Sequence, residues 1–81
     1  MDIQNKIDKF YNEAQDNFAI IISNNIRSIN NKEEIVEFLK NMESQPTIDV
    51  LMRINEIAIE KEDYETCAAL KEYSKIRKFK L

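Results

Sequence analysis

The chain has 81 residues, and 43% of them are apolar, which is enough for one small domain with a single core. It contains no glycine and one proline, so it lacks the residues that hairpin turns and phosphate-binding loops usually need. The absence of histidine and the single cysteine exclude His-based catalytic triads and the usual zinc sites. The composition predicts an all-α fold, a small bundle of about four helices, with no enzymatic activity, cofactor or metal.

The net charge of −3 hides an uneven distribution. Every acidic side chain lies in the body of the chain, whereas four cations lie together at its C-terminal end: Lys75, Arg77, Lys78 and Lys80. An acidic body disfavours broad contact with nucleic-acid phosphates, and cations in the last turns of a helix stabilise its dipole. We favour this dipole role for the four cations.

Two absences bear on location. Cys67 has no second cysteine with which to form an internal disulfide, and the N-terminus lacks the basic start and long apolar run of a secretion signal. The longest apolar run, Phe18–Ile22, is far shorter than the roughly 20 residues that cross a bilayer. The sequence therefore predicts a cytoplasmic location and no membrane partner.

The first segment, about Asp2 to Ile29, places apolar side chains at helical spacings of three and four. These side chains are Ile3, Ile7, Phe10, Tyr11, Ala14, Phe18, Ile21, Ile22 and Ile26. One long helix is predicted here. Its apolar stripe widens at Ala19–Ile22, so this turn faces more than one neighbour, either in the domain core or across a subunit boundary, and we favour the core.

A second, short helix is predicted to begin at Lys32. Asn31 has the form of an N-terminal cap, and Glu34 is placed to reach back toward it. The apolar face of this helix consists of Ile35, Val36, Phe38, Leu39 and Met42. The helix ends before Pro46, which suits the first turn of the next helix. We therefore divide the single domain into N-terminal helices, 1–45, and a C-terminal helical hairpin, 46–81.

The third helix, about Thr47 to Lys61, has more apolar surface than one neighbour can cover. Its main stripe is Ile48, Leu51, Ile54 and Ala58, and further apolar side chains are Val50, Met52, Ile57 and Ile59. Such a helix is either central in the bundle or partly exposed for a partner, and the sequence favours neither. This surplus is the main indication of association.

The fourth helix, about Tyr64 to Lys78, follows an acidic corner in which Glu62 or Asp63 is expected to cap it. The small side chains Cys67, Ala68 and Ala69 would allow the third helix to approach closely, and Tyr64 is placed to cover Ala58. An antiparallel hairpin is predicted. For the acidic corner we favour a solvated cap over a cation site, and for Cys67 a small hydrophobe over a redox centre.

Residues 48–74 contain an ordered pattern of apolar, small and charged side chains. The pattern consists of Ile48, Leu51, Ala58, Asp63, Tyr64, Glu65, Cys67, Ala68, Leu70, Lys71 and Glu72. It resembles the UVR motif, the helical hairpin of the excision-repair proteins UvrB and UvrC and of some regulators of Clp proteases, although Ile59 and Cys67 replace alanines. The resemblance implies a hairpin that pairs with a second hairpin, from itself or from another protein, and it implies no catalytic residue.

The resulting hypothesis is a small non-enzymatic protein–protein interaction module, a self-associating adaptor or inhibitor that acts through its C-terminal hairpin. The expected contact residues are Ile48, Leu51, Met52, Ile54, Ala58, Tyr64, Cys67, Ala68 and Leu70. Two alternatives stay open. One is binding of a nucleotide or nucleic acid, at the basic end with Tyr73 or Phe79 or in a pocket between subunits. The other is a structural role in a larger assembly, such as a virus particle.

Overall fold

A computed structural model describes residues 3–79, which form four α-helices and no strand. The helices are α1 (Ile3–Ile29), α2 (Lys32–Lys40), α3 (Ile48–Glu60) and α4 (Tyr64–Arg77). The predicted all-α bundle is confirmed. Asp2, the predicted start of the first helix, lies outside the described residues.

Polar side chains begin three of the helices in this part of the chain. The caps are Asn31, Thr47 and Asp63, whose side-chain oxygens accept backbone N–H groups at 2.9, 3.2 and 3.3 Å. The predicted cap at Asn31 is confirmed, and of the two candidates Glu62 and Asp63 the cap of α4 is Asp63. Pro46 lies just before the Thr47 cap and not in the first turn of α3 as predicted, because the Thr47 side chain takes the capping position.

The chain reverses direction without glycine. Within residues 3–79, three non-glycine residues adopt positive φ, namely Asn30 (50°), Glu62 (55°) and Lys78 (61°). At the α3–α4 turn, Glu62 is left-handed, and the Asp63 N–H donates to the Ala58 carbonyl at 2.8 Å, which is the Schellman ending of a helix. A side chain with a Cβ disfavours this conformation, so these turns cost stability that glycine would spare.

All four described helices contribute to one core. Its buried residues are Ala19, Ile22, Ile26, Ile35, Val36, Leu39, Val50, Leu51, Ile54, Ala69, Leu70 and Tyr73. The most extensive packing is of α1 on α3 and of α2 on α4, and α3 packs less extensively on α4. Each N-terminal helix therefore covers one helix of the hairpin, and the two predicted segments of the chain share a single core.

Helices α1 and α3 run in the same direction. Arg53 of α3 contacts Asn12 and Asp16, and further along both helices Glu60 lines a groove with Arg27. The first turns of α1 consequently extend beyond the start of α3. With 27 residues α1 is about 40 Å long, close to the 47 Å length of the molecule. Neither α1 nor any other described helix is both long and apolar enough to cross a lipid bilayer.

The α2–α4 pair is joined by polar contacts at its end. The backbone N–H of Lys32 donates to Glu65 Oε2 at 2.9 Å, so a carboxylate of α4 satisfies an unpaired donor in the first turn of α2. The Lys32 ammonium also lies 3.9 Å from Glu72. The contact from Glu65 spans 33 residues and could not be foreseen from local sequence.

Candidate protein-interaction surfaces

Four of the predicted contact residues on the hairpin lie inside the bundle. Leu51, Ile54, Ala58 and Leu70 are each at most 1% exposed. A partner that leaves the fold intact cannot contact these side chains. They are core residues of the described structure.

The other predicted contact residues on the hairpin reach the surface. Ile48, Met52, Tyr64 and Ala68 are exposed, and Cys67 is half-buried. Tyr64 keeps 70% of its surface exposed, so the expectation that its ring covers Ala58 is wrong. The corner is instead closed by the backbone hydrogen bonds of the α3–α4 turn.

Helix α4 packs through a face that matches the predicted one only in part: Ala69 and Leu70 are buried as expected, whereas Ala68 is exposed. Its buried residues are Thr66, Ala69, Leu70, Tyr73 and Ser74. At about 100° per residue, Tyr73 lies roughly 180° around the helix from Tyr64, so burial of Tyr73 turns Tyr64 and Ala68 outward. The hydroxyls of Thr66 and Ser74 form hydrogen bonds within α4 and its cap, which allows these polar side chains to be buried.

Cys67 lies at the border between the buried and exposed faces of α4. Its partial burial raises the pKa of the Cys67 thiol; the carboxylate of Asp63 raises it further, and Lys71 opposes both effects. A raised pKa keeps the thiol protonated, whereas a reactive cysteine needs a lowered one. The surroundings of Cys67 are those of a small hydrophobe.

The basic end is partly used by the fold itself. Lys75, Arg77 and Lys78 are exposed, and Lys80 lies outside the described residues. The Arg77 guanidinium donates to the Pro46 carbonyl at 2.5 Å, which ties the end of α4 to the segment before α3. Arg77 thus has an intramolecular role.

The two aromatic residues assigned to base contacts are packed against the bundle. Tyr73 is buried, and its hydroxyl donates to Gln45 Oε1. Phe79 is half-buried against the core, and the Arg77 guanidinium lies 5.6 Å from the Tyr73 ring and 5.5 Å from the Phe79 ring. The prediction that Tyr73 stacks on bases is wrong for this fold, because no base can reach a buried ring.

Within residues 3–79, α1 carries more exposed large apolar side chains than any other helix. We define the α1 outer face as Ile3, Ile7, Phe10, Ala14 and Ile21, all of which are exposed. Phe10 keeps 73% of its surface exposed and Ile7 keeps 54%. Of the Ala19–Ile22 turn, which the sequence assigned to the core, Ala19 and Ile22 are buried, whereas Ile20 and Ile21 are exposed, so that prediction is only partly confirmed.

The α1 outer face is directed away from the rest of the molecule. The buried residues of α1 are Ala19, Ile22, Ser23 and Ile26. At about 100° per residue, Phe10 lies roughly 180° around the helix from Ala19. One side of α1 therefore packs on the bundle, and the opposite side presents to solvent an apolar stripe that is interrupted at Asn17.

Charged side chains border one edge of this stripe. Lys6, Lys9 and Glu13 line a shallow groove together with Phe10. The other edge is aromatic, with Tyr11 and Phe18 exposed. The surface thus has an apolar centre, one charged edge and one aromatic edge, a pattern that suits docking of another helix.

Arg53 joins α3 to the middle of α1 through polar contacts. Its guanidinium lies 2.5 Å from Asp16 Oδ1 and 3.1 Å from Asn12 Oδ1, and it also pairs with Asp49 at 3.1 Å. The hydrogen bonds that Arg53 donates to Asp49 and Asp16 raise the pKa of Arg53. This group holds α1 against α3 on the N-terminal side of Ala19, the first buried residue of α1.

A smaller exposed stripe lies on α3. Ile48, Met52 and Ile59 are exposed at helical spacing, and the half-buried Asn55 lies between them. The predicted surplus of apolar surface on the third helix is therefore present, but it consists of fewer large side chains than the α1 outer face.

The sequence did contain a signal for the α1 outer face. Helix α1 has 27 residues, whereas α2, α3 and α4 have 9, 13 and 14. Helices this short cannot cover an apolar stripe that runs along the whole of α1, so part of that stripe had to remain exposed.

Neither metal ligands nor relatives point to another kind of site. Among residues 3–79 no group of three or more Cys, Asp or Glu side chains could hold a metal ion. Comparisons of the chain with protein-family models, with curated proteins and with solved structures find no match. The UVR-like character of the hairpin stays a prediction that rests on its residues.

Proposed function

We propose that this protein is a small non-enzymatic protein–protein interaction module, a self-associating adaptor or inhibitor, and that the α1 outer face is its main contact surface. The observation that carries the proposal is the row of exposed Ile and Phe side chains on α1, opposite the side that packs on α3. Contiguous apolar surface of this kind marks interaction sites on proteins.

The physical basis is the hydrophobic effect. Burial of an Ile or Phe side chain contributes about 1.5–3 kcal/mol relative to its exposure. Several such side chains on one helix therefore favour binding of a partner that covers them. Helix α1 is already formed and anchored at Arg53, so binding need not supply the free energy of ordering it.

We therefore propose a main contact surface on α1, whereas the sequence indicated the hairpin. Half-exposed side chains at Ile48 and Met52 leave α3 as a second candidate surface, and this surface is the one that the UVR-like resemblance supports. A cytoplasmic location belongs to the same proposal, because the lone cysteine is typical of a reducing compartment. Nucleic-acid binding has less support, since Arg77 is engaged with Pro46.

Paired variants test which surface is used. Ile7 on α1 and Ile59 on α3 are the same residue type with similar exposure, 54% and 59%. We would confirm by circular dichroism that the wild type, Ile7→Glu and Ile59→Glu are folded, and immobilise each of them. A protein mixture that includes the free chain itself is then passed over each immobilised protein, and the retained amount of every protein is measured. Loss of retention with Ile7→Glu alone is expected.

Two results would contradict the proposal. Equal retention by the wild type and both variants means that neither apolar stripe is a contact surface. Loss with Ile59→Glu alone, reproduced with Met52→Glu, transfers the function to the hairpin.

A further inference from the structure

We propose that the α1 outer face binds a second copy of this chain, with the two α1 helices antiparallel and Lys6 of each copy facing Glu13 of the other. This inference rests on the proposed function and specifies its partner. The supporting observations are the spacing of the apolar side chains, the charges beside them and the position of the bundle relative to the face.

The spacing of the α1 outer face is that of a two-helix coiled coil. Ile7, Ala14 and Ile21 recur every seven residues, and Ile3 and Phe10 form a second series offset by four. Such a repeat keeps a seam directed at a neighbouring helix. The second series is interrupted at Asn17, so the uninterrupted seam extends from Ile3 to Ala14.

An antiparallel arrangement of two such seams pairs residues of different size. Ile7 lies opposite Phe10 of the second copy, and Ile3 lies opposite Ala14, and each pair occurs twice about a twofold axis. A twofold interface uses the same patch on both chains, so one apolar stripe is sufficient for both partners. The interruption at Asn17 stays outside the overlap.

Charge complementarity selects this register. Lys6 and Glu13 each precede a residue of the first series, and in an antiparallel coiled coil such flanking positions meet across the seam. The overlap from Ile3 to Ala14 brings Lys6 against Glu13 twice. Sliding the helices by one heptad would bring Glu13 against Glu13 of the second copy, and would place Asn17 opposite Ile7.

A parallel arrangement lacks these charge pairs. In a parallel coiled coil the position that Lys6 occupies faces the one that Tyr11 occupies, and Glu13 faces Phe18. Neither pair contains opposite charges. The chain therefore complements itself in one orientation and one register.

The position of the bundle permits the pairing. The core packs on the side of α1 that carries Ala19 and Ile26, opposite the α1 outer face. Arg53 contacts Asn12 and Asp16, and Glu60 lies near Arg27, so α3 extends from the middle of α1 toward the C-terminal end of α1. Antiparallel pairing of the first turns consequently sends the two bundles toward opposite ends of the dimer, where they do not collide.

The overlap sets a modest affinity. From Ile3 to Ala14 the seam is about 18 Å long, which gives an interface below the size of a stable complex. We expect a reversible dimer with a dissociation constant on the order of 100 μM. Dimerisation is thus sensitive to single charges at the seam.

Charge reversal with mixing tests the register. Lys6→Glu and Glu13→Lys are each expected to weaken the dimer about tenfold, because each creates two like-charge contacts. An equimolar mixture of the two variants restores opposite charges at both contacts and should dimerise as tightly as the wild type. Sedimentation equilibrium at low salt, from about 10 μM to about 1 mM, measures all samples.

Lys9→Glu is the matched control. It makes the same charge change on the same helix, but Lys9 does not face Glu13 of the second copy in this register. We expect it to change the dissociation constant less than threefold. Circular dichroism confirms that every variant keeps the helical content of the wild type.

The outcomes separate this inference from the proposed function. A wild type that is monomeric at every concentration, or a dimer that the mixture of variants does not restore, overturns the antiparallel pairing. If Ile7→Glu still abolishes retention of a different protein in that case, the proposed function survives. If Ile7→Glu also changes no retention, both are overturned.

Discussion

The two halves of α1 carry similar side chains in different surroundings. Ile22, in the second half, is 3% exposed and packs in the core, whereas Ile7, in the first half, is 54% exposed. Both residues belong to apolar stripes with helical spacing. The difference arises because the buried residues of α1 all lie in its second half, from Ala19 onward, and the first turns of α1 extend beyond the start of α3.

The two halves of α1 show what apolar periodicity predicts and what it leaves open. Apolar side chains at spacings of three and four predict a helix and the direction of its apolar side, but they do not identify what covers that side. In the second half of α1 the same chain supplies the cover. In the first half the cover has to come from another molecule, or the side chains remain in water.

Matched truncations of isoleucine should give the largest contrast between the halves. Ile26→Ala leaves a cavity at a residue that is 0% exposed, and we expect a loss of about 2–5 kcal/mol in the free energy of unfolding. Ile7→Ala removes exposed side-chain atoms and should change it by less than about 0.5 kcal/mol. Urea denaturation at protein concentrations well below self-association measures both.

A large loss in the free energy of unfolding with Ile7→Ala under those conditions would contradict the difference between the two halves. It would mean that the first half of α1 packs within the monomer. A large loss that develops only at high concentration would instead support dimerisation through the α1 outer face.

Relief of the strained α3–α4 turn should change the free energy of unfolding by an intermediate amount. Glu62→Gly removes the Cβ from a left-handed residue and should stabilise the fold by about 1 kcal/mol, whereas Glu56→Gly, within α3, should destabilise it by about 1 kcal/mol. Amide hydrogen exchange should slow at Ile22 and Ile26 in Glu62→Gly, and should stay unchanged at Ile3 and Ile7.

Equal slowing of exchange along the whole of α1 would contradict this expectation, because it would show that both halves unfold together with the bundle. Destabilisation by Glu62→Gly would contradict the left-handed conformation of Glu62 itself.

The smallest expected effect is a difference between two thiols. Burial raises the pKa of Cys67, so less thiolate is present at a given pH and alkylation is slower. Ala14→Cys, in a chain that also carries Cys67→Ala, places a thiol on the exposed half of α1. The pH of half-maximal alkylation by iodoacetamide should be higher for Cys67 than for the introduced thiol.

The two alkylation rates should converge at high pH, where both thiols are ionised. A lower pH of half-maximal reaction for Cys67 would show that its surroundings favour the thiolate, and would reopen a reactive role for this residue.

Much of the local structure was predictable. Asn31 and Asp63 were identified as caps because a capping side chain bonds to a backbone N–H only three residues away. The packed face of α4 was predicted only in part because its polarity contrast is low: Thr66 and Ser74 are buried, whereas Tyr64 and Ala68 are exposed. Apolar periodicity cannot orient such a helix.

The candidate surface was predictable only in part. Met52 and Ile48 were assigned to a partner and are exposed, but Leu51 and Leu70 received the same assignment and are buried. A helix with apolar residues around most of its circumference contains no local indication of which ones a neighbour covers.

By itself the sequence determined the helices, the starts of α2 and α4 and the helical class of the fold, since these depend on hydrogen bonds and side-chain contacts within a few residues. Only the tertiary structure decided which apolar stripe became core and which became the α1 outer face. That choice depends on the lengths and directions of α1 and α3 relative to each other, and contacts such as Arg53 with Asp16, 37 residues apart, establish it.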